Sequence, residues 1–236
     1  MKTGLSASRL LGDCEMGINW SSEIFMSRLN SRKNAHVLGS GCFGTVFSLN
    51  SKSDRVLKVS TLESDGWPIY ARWCMTRGSI HVNALRVYSI HEINHDTSRI
   101  KSFVTSSIER LSSMHTAPDH IHDLAYHVIN MFDYAYNPSH KEFTKSWNRV
   151  KEFQPDMHSL VIELEALRNE FGCTNDMHHG NMMYRPSTGH IVITDPFGSS
   201  STRGHNVKKQ DRTVIGRIRS SSNISMDLNG QYRMKF

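Results

Sequence analysis

The chain has 236 residues, 38% hydrophobic and 21% charged, the balance of a folded globular protein and not of a disordered one. No run approaches the roughly 18 apolar residues of a membrane span, and the N-terminus MKTGLSASRLLGDCEMG has only Leu10 and Leu11 as an apolar pair, so neither an anchor nor a secretory signal is expected and the address read is cytoplasmic. The net charge of +6 sits after residue 198, where eight Lys/Arg face only Asp211 and Asp227; any weak attraction for nucleic acid is thereby confined to that stretch, and a DNA-binding fold is disfavoured.

In chain order, INWSSEIFMSRLN over 18–30 spaces Ile18, Phe25 and Leu29 as a modest amphipathic helix with a serine cap. HVLGSGCFGTVFSL reads as strand, glycine-rich turn and strand, and DRVLKVS as a third strand. WPIYARWCMTR over 67–77 follows as a helix with Pro68 in its first turn. ALRVYSIHEI and SFVTSSIERL add two strands, giving this half about five strands and one helix. The period then changes. Residues 119–133 put Ile121, Leu124, Ala125, Val128, Ile129 and Phe132 on one helical face, and 155–171 do the same from Pro155 to Gly172. Short strands NMMYR and HIVIT flank the turn PSTG, and the basic, serine-rich tail shows no sustained period and reads as a solvated segment.

Four groups along this succession carry chemistry. In GSGCFGTV, Gly39, Gly41 and Gly44 would let backbone N–H groups approach phosphate oxygens, and a strand follows them. A dinucleotide fingerprint would open a helix, and a Walker loop would continue into Gly-Lys-Ser/Thr, so neither applies. Lys58 lies on the next strand, within reach of phosphates beneath that hairpin. In TNDMHHGNMMY, Asp176 precedes Asn181 by five positions, the spacing of a kinase catalytic loop in which the Asp orients the attacking hydroxyl and the Asn ligates a metal ion. Asp195, in ITDPFG, ends a strand where a carboxylate can hold Mg²⁺ against phosphate oxygens. Taken singly, each has a plain structural reading: a glycine hairpin, a surface lysine, a turn-forming Asp-Pro. Four in order make coincidence a poor account. His178 and His179, with His158 or His190, raise the possibility of zinc, but no second Cys/His pair has suitable spacing, and Cys14, Cys42, Cys74 and Cys173 form no C-x-x-C.

With these residues in view, the chain resembles the early serine/threonine protein kinases of short-tailed phages of the autographivirus type. The resemblance runs from about Val37 to Gly198 and is carried by LGSGCFGTVFS, RVLKVS, FVTSSIERL, DMHHGNMMY and ITDPFG. It implies an α+β, bilobal protein-kinase-like fold. The expected parts are an N-terminal helical extension over 1–34, an N-lobe of antiparallel sheet and one helix over 35–111, a reduced helical C-lobe over 112–198 and a tail over 199–236. It implies ATP and Mg²⁺ as cofactors and transfer of the γ-phosphate to Ser/Thr of host proteins in the host cytoplasm, with Ser199, Ser200, Ser201 and Thr202 as candidates for self-modification. The catalytic residues implied are Asp176, Lys58 and His178, the last where protein kinases place lysine. The nucleotide contacts implied are Gly39, Ser40, Gly41, Cys42, Phe43, Gly44, Val46, Lys58 and Glu109, and the metal ligands Asn181 and Asp195.

The sequence departs from ordinary protein kinases at Thr174 and Asn175, which replace His-Arg, and at Pro196 after the metal aspartate; no A-P-E follows. Helix 67–77 contains no acid to pair with Lys58, leaving Glu63 or Asp65 as candidates. The D-x-H-x-x-N loop is also that of aminoglycoside and choline kinases, so a small-molecule phosphotransferase is the alternative. A third reading is an inactive nucleotide binder that blocks host transcription through the basic tail.

Overall fold

The computed structural model describes residues 36–40, 44–48, 53–61, 66–77, 80–93, 103–200, 224–226 and 232–234. The expected helix over 18–30, Gly41, Cys42, Phe43, Glu63, Asp65, Ser201 and Thr202 lie outside them. Within the described residues the architecture is α+β, with antiparallel sheets and four α-helices.

Strands β1 (His36–Ser40), β2 (Gly44–Ser48), β3 (Arg55–Thr61), β4 (Val87–Ile93) and β5 (Phe103–Glu109) form one sheet with β11 (Ile224–Met226) and β12 (Tyr232–Met234), in the order β1-β2-β3-β5-β4-β12-β11. Central β3 is apolar on both sides because both of its faces are covered: Val56, Leu57 and Val59 are all buried. Its register puts Lys58 opposite Val46 on β2 and Ser106 on β5, so the lysine stands mid-sheet and not at a frayed end. Helix α1 (Trp67–Arg77) packs against β4 and buries eight of its residues, among them Trp67, Tyr70, Trp73 and Cys74.

The later part of the chain is built on α2 (Asp119–Asp133), α3 (Lys141–Val150) and α4 (Met157–Phe171), with a three-stranded sheet in the order β6-β8-β9 (Ser112–Ser113, Met182–Arg185, His190–Ile193) and the pair β7 (Cys173–Asn175) with β10 (Phe197–Ser200). Helix α4 ends at Gly172, whose φ of 61° is the left-handed conformation that glycine adopts without Cβ strain. Among the described residues a hydrophobic core runs from Val56 and Trp67 through Ile121, Leu160 and Val161 to Phe197.

Two expectations need amending. The later half has a third helix, α3, which the sequence conceals because KEFTKSWNRV buries only Phe143, Ser146 and Val150; so narrow a stripe on a polar segment carries little hydropathy. The tail is also not wholly solvated: Tyr232 pairs with Ile90, and β12 with β11 extends the first sheet at its β4 edge. Three-residue strands held by such pairing leave no periodic signal to read.

Candidate active site

The site forms where β3, the start of α1, the β7–β8 connection and the β9–β10 connection meet. Lys58 is only 8% exposed. Its Nζ donates to Asp195 Oδ2 at 2.5 Å and lies 3.8 Å from the centre of the Trp67 ring. Residues 137 positions apart are thus in direct contact. The acid that pairs with Lys58 among the described residues is therefore Asp195, as α1 has none.

Asp195 has a second, buried oxygen, Oδ1, with no hydrogen-bond partner among the described residues. Burial pushes this carboxyl above the usual aspartate range; Lys58 pulls it down, and the nearby Asp176 carboxylate pushes it up again. A buried carboxylate oxygen with no hydrogen-bond donor, beside a second acid, has the chemistry of a cation ligand. The donor set fits Mg²⁺, a hard cation that takes oxygen ligands. Among the described residues no three His, Cys, Asp or Glu side chains cluster in ligand geometry. His158 meets the ring of Phe143 edge to face and that of Trp147 at a tilt.

Asn181 donates from Nδ2 to the Asp176 backbone carbonyl at 2.7 Å and to Asp176 Oδ2 at 3.2 Å. A carbonyl can only accept, so this pairing fixes the amide orientation and leaves Asn181 Oδ1, the atom a cation would need, uncommitted to Asp176. It also ties one Asp176 oxygen to its own loop. His178 caps the short 3-10 turn His179–Asn181 by accepting from the Gly180 N–H at Nδ1, 3.1 Å away. With Nδ1 as acceptor, the neutral ring carries its proton on Nε2.

The two loops are stitched backbone to backbone. Asp176 N–H donates to the Pro196 carbonyl at 3.0 Å and Thr194 N–H to the Asn181 carbonyl at 2.9 Å; β7 and β10 pair with Asn175 opposite Phe197. A Cβ on Gly198 would stand 2.5 Å from Thr174 Oγ1, and one on Gly66 would stand 2.7 Å from the Gly198 carbonyl and 2.9 Å from that of Phe197. Both glycines therefore permit close approach of the loops around Asp195. Tyr70 clamps the same strand end: its hydroxyl donates to the Ile193 carbonyl at 2.6 Å, and its ring meets Phe197 edge to face.

The glycine hairpin is seen in part. Gly39 and Ser40 close β1, and Gly44 and Val46 lie on β2. Gly44 runs so close to β3 that a Cβ would meet the Val59 carbonyl at 3.1 Å and Lys58 Cε at 3.4 Å, whereas nothing lies within 4 Å of one on Gly39. Gly44 is thus needed for packing on Lys58, and Gly39 has no such constraint among the described residues.

Glu109, which the resemblance implied as a nucleotide contact, is bonded within the protein. It is 7% exposed and paired with Arg185, 4% exposed. Oε2 accepts from Arg185 Nε at 2.9 Å, while Oε1 accepts from Arg185 Nη2 and from the Arg86 N–H. With both oxygens occupied, this side chain serves to join β5 to β8.

Sequence reading missed Trp67, Gly66, Tyr70 and the polar lining beside Lys58. Ser60 and Ser106 share a face of the sheet with it by register, and their buried hydroxyls have no hydrogen-bond partner among the described residues. The alternation of β3 carried that signal, for 58 and 60 fall on one face.

A model of the bacteriophage T7 protein kinase 0.7 family matches residues 25–223, a span that contains Lys58, Asp176, Asn181 and Asp195. Comparison with curated proteins returned no match. No helix among the described residues is long and apolar enough to cross a membrane. The matched span covers most of the 236 residues, and on that ground the chain belongs to the bacteriophage T7 protein kinase 0.7 family.

Proposed function

We propose that the chain is an ATP-dependent serine/threonine protein kinase that modifies proteins of the host cell, and itself, through a nucleotide bound between the glycine hairpin and the Asp176 loop of a bilobal kinase-like fold. The observation that carries this reading is the meeting of Lys58 with Asp195, with Asp195 Oδ1 buried and unpartnered and the Asp176–Asn181 pair stitched to the same loop.

The residues divide the work as follows. Asp195 Oδ1 and Asn181 Oδ1 would hold Mg²⁺, which when bound neutralises charge on the phosphate oxygens. Lys58 supplies a second cation from the sheet side, in a site shielded enough for its charge to act strongly. Asp176, anchored through one oxygen by Asn181, accepts the proton of the attacking serine or threonine hydroxyl with the other. His178, with Nε2–H as its remaining donor, hydrogen-bonds a phosphoryl oxygen in transfer. Gly39 to Gly44 and Val46 cover the phosphates and base, with Ser60 and Ser106 as polar partners beneath. Little covalent chemistry is asked of the protein; positioning and charge neutralisation supply the rate.

Purified protein incubated with γ-labelled ATP, Mg²⁺ and bacterial lysate should place label on serine and threonine of lysate proteins and on itself, with Asp176→Asn giving background. Equal labelling by wild type and Asp176→Asn would refute the reading. Label recovered on a small alcohol and not on protein would transfer it to the aminoglycoside and choline type of phosphotransferase.

A further inference from the structure

Among the described residues the Lys58 ammonium meets a carboxylate and an indole face. Asp195 bonds it at 2.5 Å, yet the same carboxylate is the foremost candidate for the cation site. A carboxylate drawn to a divalent ion holds an ammonium less well. The usual safeguard, an acid on the neighbouring helix, is missing from Trp67–Arg77. What that helix offers is Trp67, 0% exposed, with its ring face 3.8 Å from Lys58 Nζ.

We propose that Trp67 is the positioning residue for Lys58: its indole face keeps the ammonium at the phosphates while Asp195 serves the metal ion, the task for which other kinase-like sites use an acidic side chain. This rests on the kinase reading above. A cation over an indole face is held electrostatically by the ring quadrupole, most strongly where both partners are dry, as they are here. The ring asks for no proton or counter-charge and cannot compete for Mg²⁺. It is also held rigidly. Tyr70 meets it edge to face with ring centres 6.1 Å apart, and Gly66 before it is pressed against Phe197 and Gly198. The start of α1 is therefore packed directly on the Asp195 loop, and Trp67 meets Lys58 beside it.

The test has an arm that needs no catalysis. In protein with ¹³C at the lysine ε-carbons, the Lys58 ε-methylene protons, assigned by their loss in Lys58→Arg, should be shifted upfield by the indole ring. The shift should persist when ADP and Mg²⁺ are added. Its absence from the free protein, or its collapse on adding ADP and Mg²⁺, overturns the proposal. In the kinetic arm, Trp67→Leu should lower kcat/KM for ATP about tenfold and Trp67→Phe, which keeps a weaker π face, about threefold. Equal values for Phe, Leu and wild type overturn it as well. If wild type transfers no phosphate, the kinase reading falls by itself, and the resonance of Lys58 still decides where its ammonium sits. Trp67→Phe guards against misfolding of the leucine variant, and the NMR arm uses wild-type protein.

Discussion

Replacing Arg185 by methionine separates two roles for Glu109. The guanidinium serves several acceptors: both Glu109 oxygens, the Val82 carbonyl and the Ala84 carbonyl, the last at 3.1 Å. Methionine fills similar volume but donates nothing, so it leaves Glu109 buried with only the Arg86 N–H, 2.8 Å away, and two carbonyls without this donor. Removing one partner of a buried pair costs about 3–5 kcal/mol. For a chain of this size each kcal/mol lowers Tm by about 2–4 °C, so a drop of roughly 6–20 °C is expected. Glu109→Leu should be comparably destabilising, while the double variant Arg185→Met/Glu109→Leu should recover about 1–3 kcal/mol relative to the sum of the singles, since no charge is then stranded. The assay is thermal and urea unfolding by circular dichroism, with KM for ATP measured on each variant while folded. A Glu109→Leu protein that keeps its Tm but shows a raised KM would refute the structural role and return Glu109 to the nucleotide.

Two further perturbations probe the loops and the surface. Gly66→Ala should cost about 1–3 kcal/mol, because its Cβ meets the Phe197 and Gly198 carbonyls, which belong to backbone and cannot rotate away. Phosphotransfer should fall further than stability, as much as about 100-fold, since the Asp195 loop must shift. Gly39→Ala, with no described residue within 4 Å of its Cβ, is the stability control and should unfold like wild type; equal unfolding midpoints for the two variants would contradict this packing.

The third concerns pH. Burial raises the Glu163 carboxyl, but the Arg77 hydrogen bonds, at 2.9 and 3.1 Å, with the charges of Arg77 and His81 outweigh it and hold the carboxyl below its ordinary value of 4.5. A depressed acid stabilises the fold above its unfolded pKa and loses that contribution as pH falls through the lower folded value. Glu163→Gln should therefore flatten the acid limb of stability below about pH 4.5 and cost less than about 1 kcal/mol at neutral pH, because the pair is partly exposed. Unfolding midpoints from pH 3 to 7 test this; an unchanged acid limb would show that the pairing adds nothing.

The elements most legible in the sequence were those whose local pattern and tertiary role agree. Helix α2 shows its apolar face at helical spacing and forms over Asp119–Asp133 as expected, and the strands around PSTG appear as Met182–Arg185 and His190–Ile193. Helix α4 starts at Met157, two positions after the proline taken as its beginning. Helix α3 was missed because three buried positions in ten residues hardly distinguish it from a polar loop.

At the candidate site, order along the chain was enough to nominate Lys58, Asp176, Asn181 and Asp195, because five positions between Asp and Asn and a carboxylate at a strand end are local facts. Local facts also ruled out a charged partner for Lys58 within α1. What took that partner's place was not local. That Asp195 reaches Lys58 from 137 positions away, that an indole face meets the same ammonium, and that Glu109 is claimed by Arg185 all depend on which elements pack together. Composition and spacing determine what each segment can become. Only the folded chain decides which buried charges meet, since a charge leaves water only where a partner from elsewhere in the chain is already waiting.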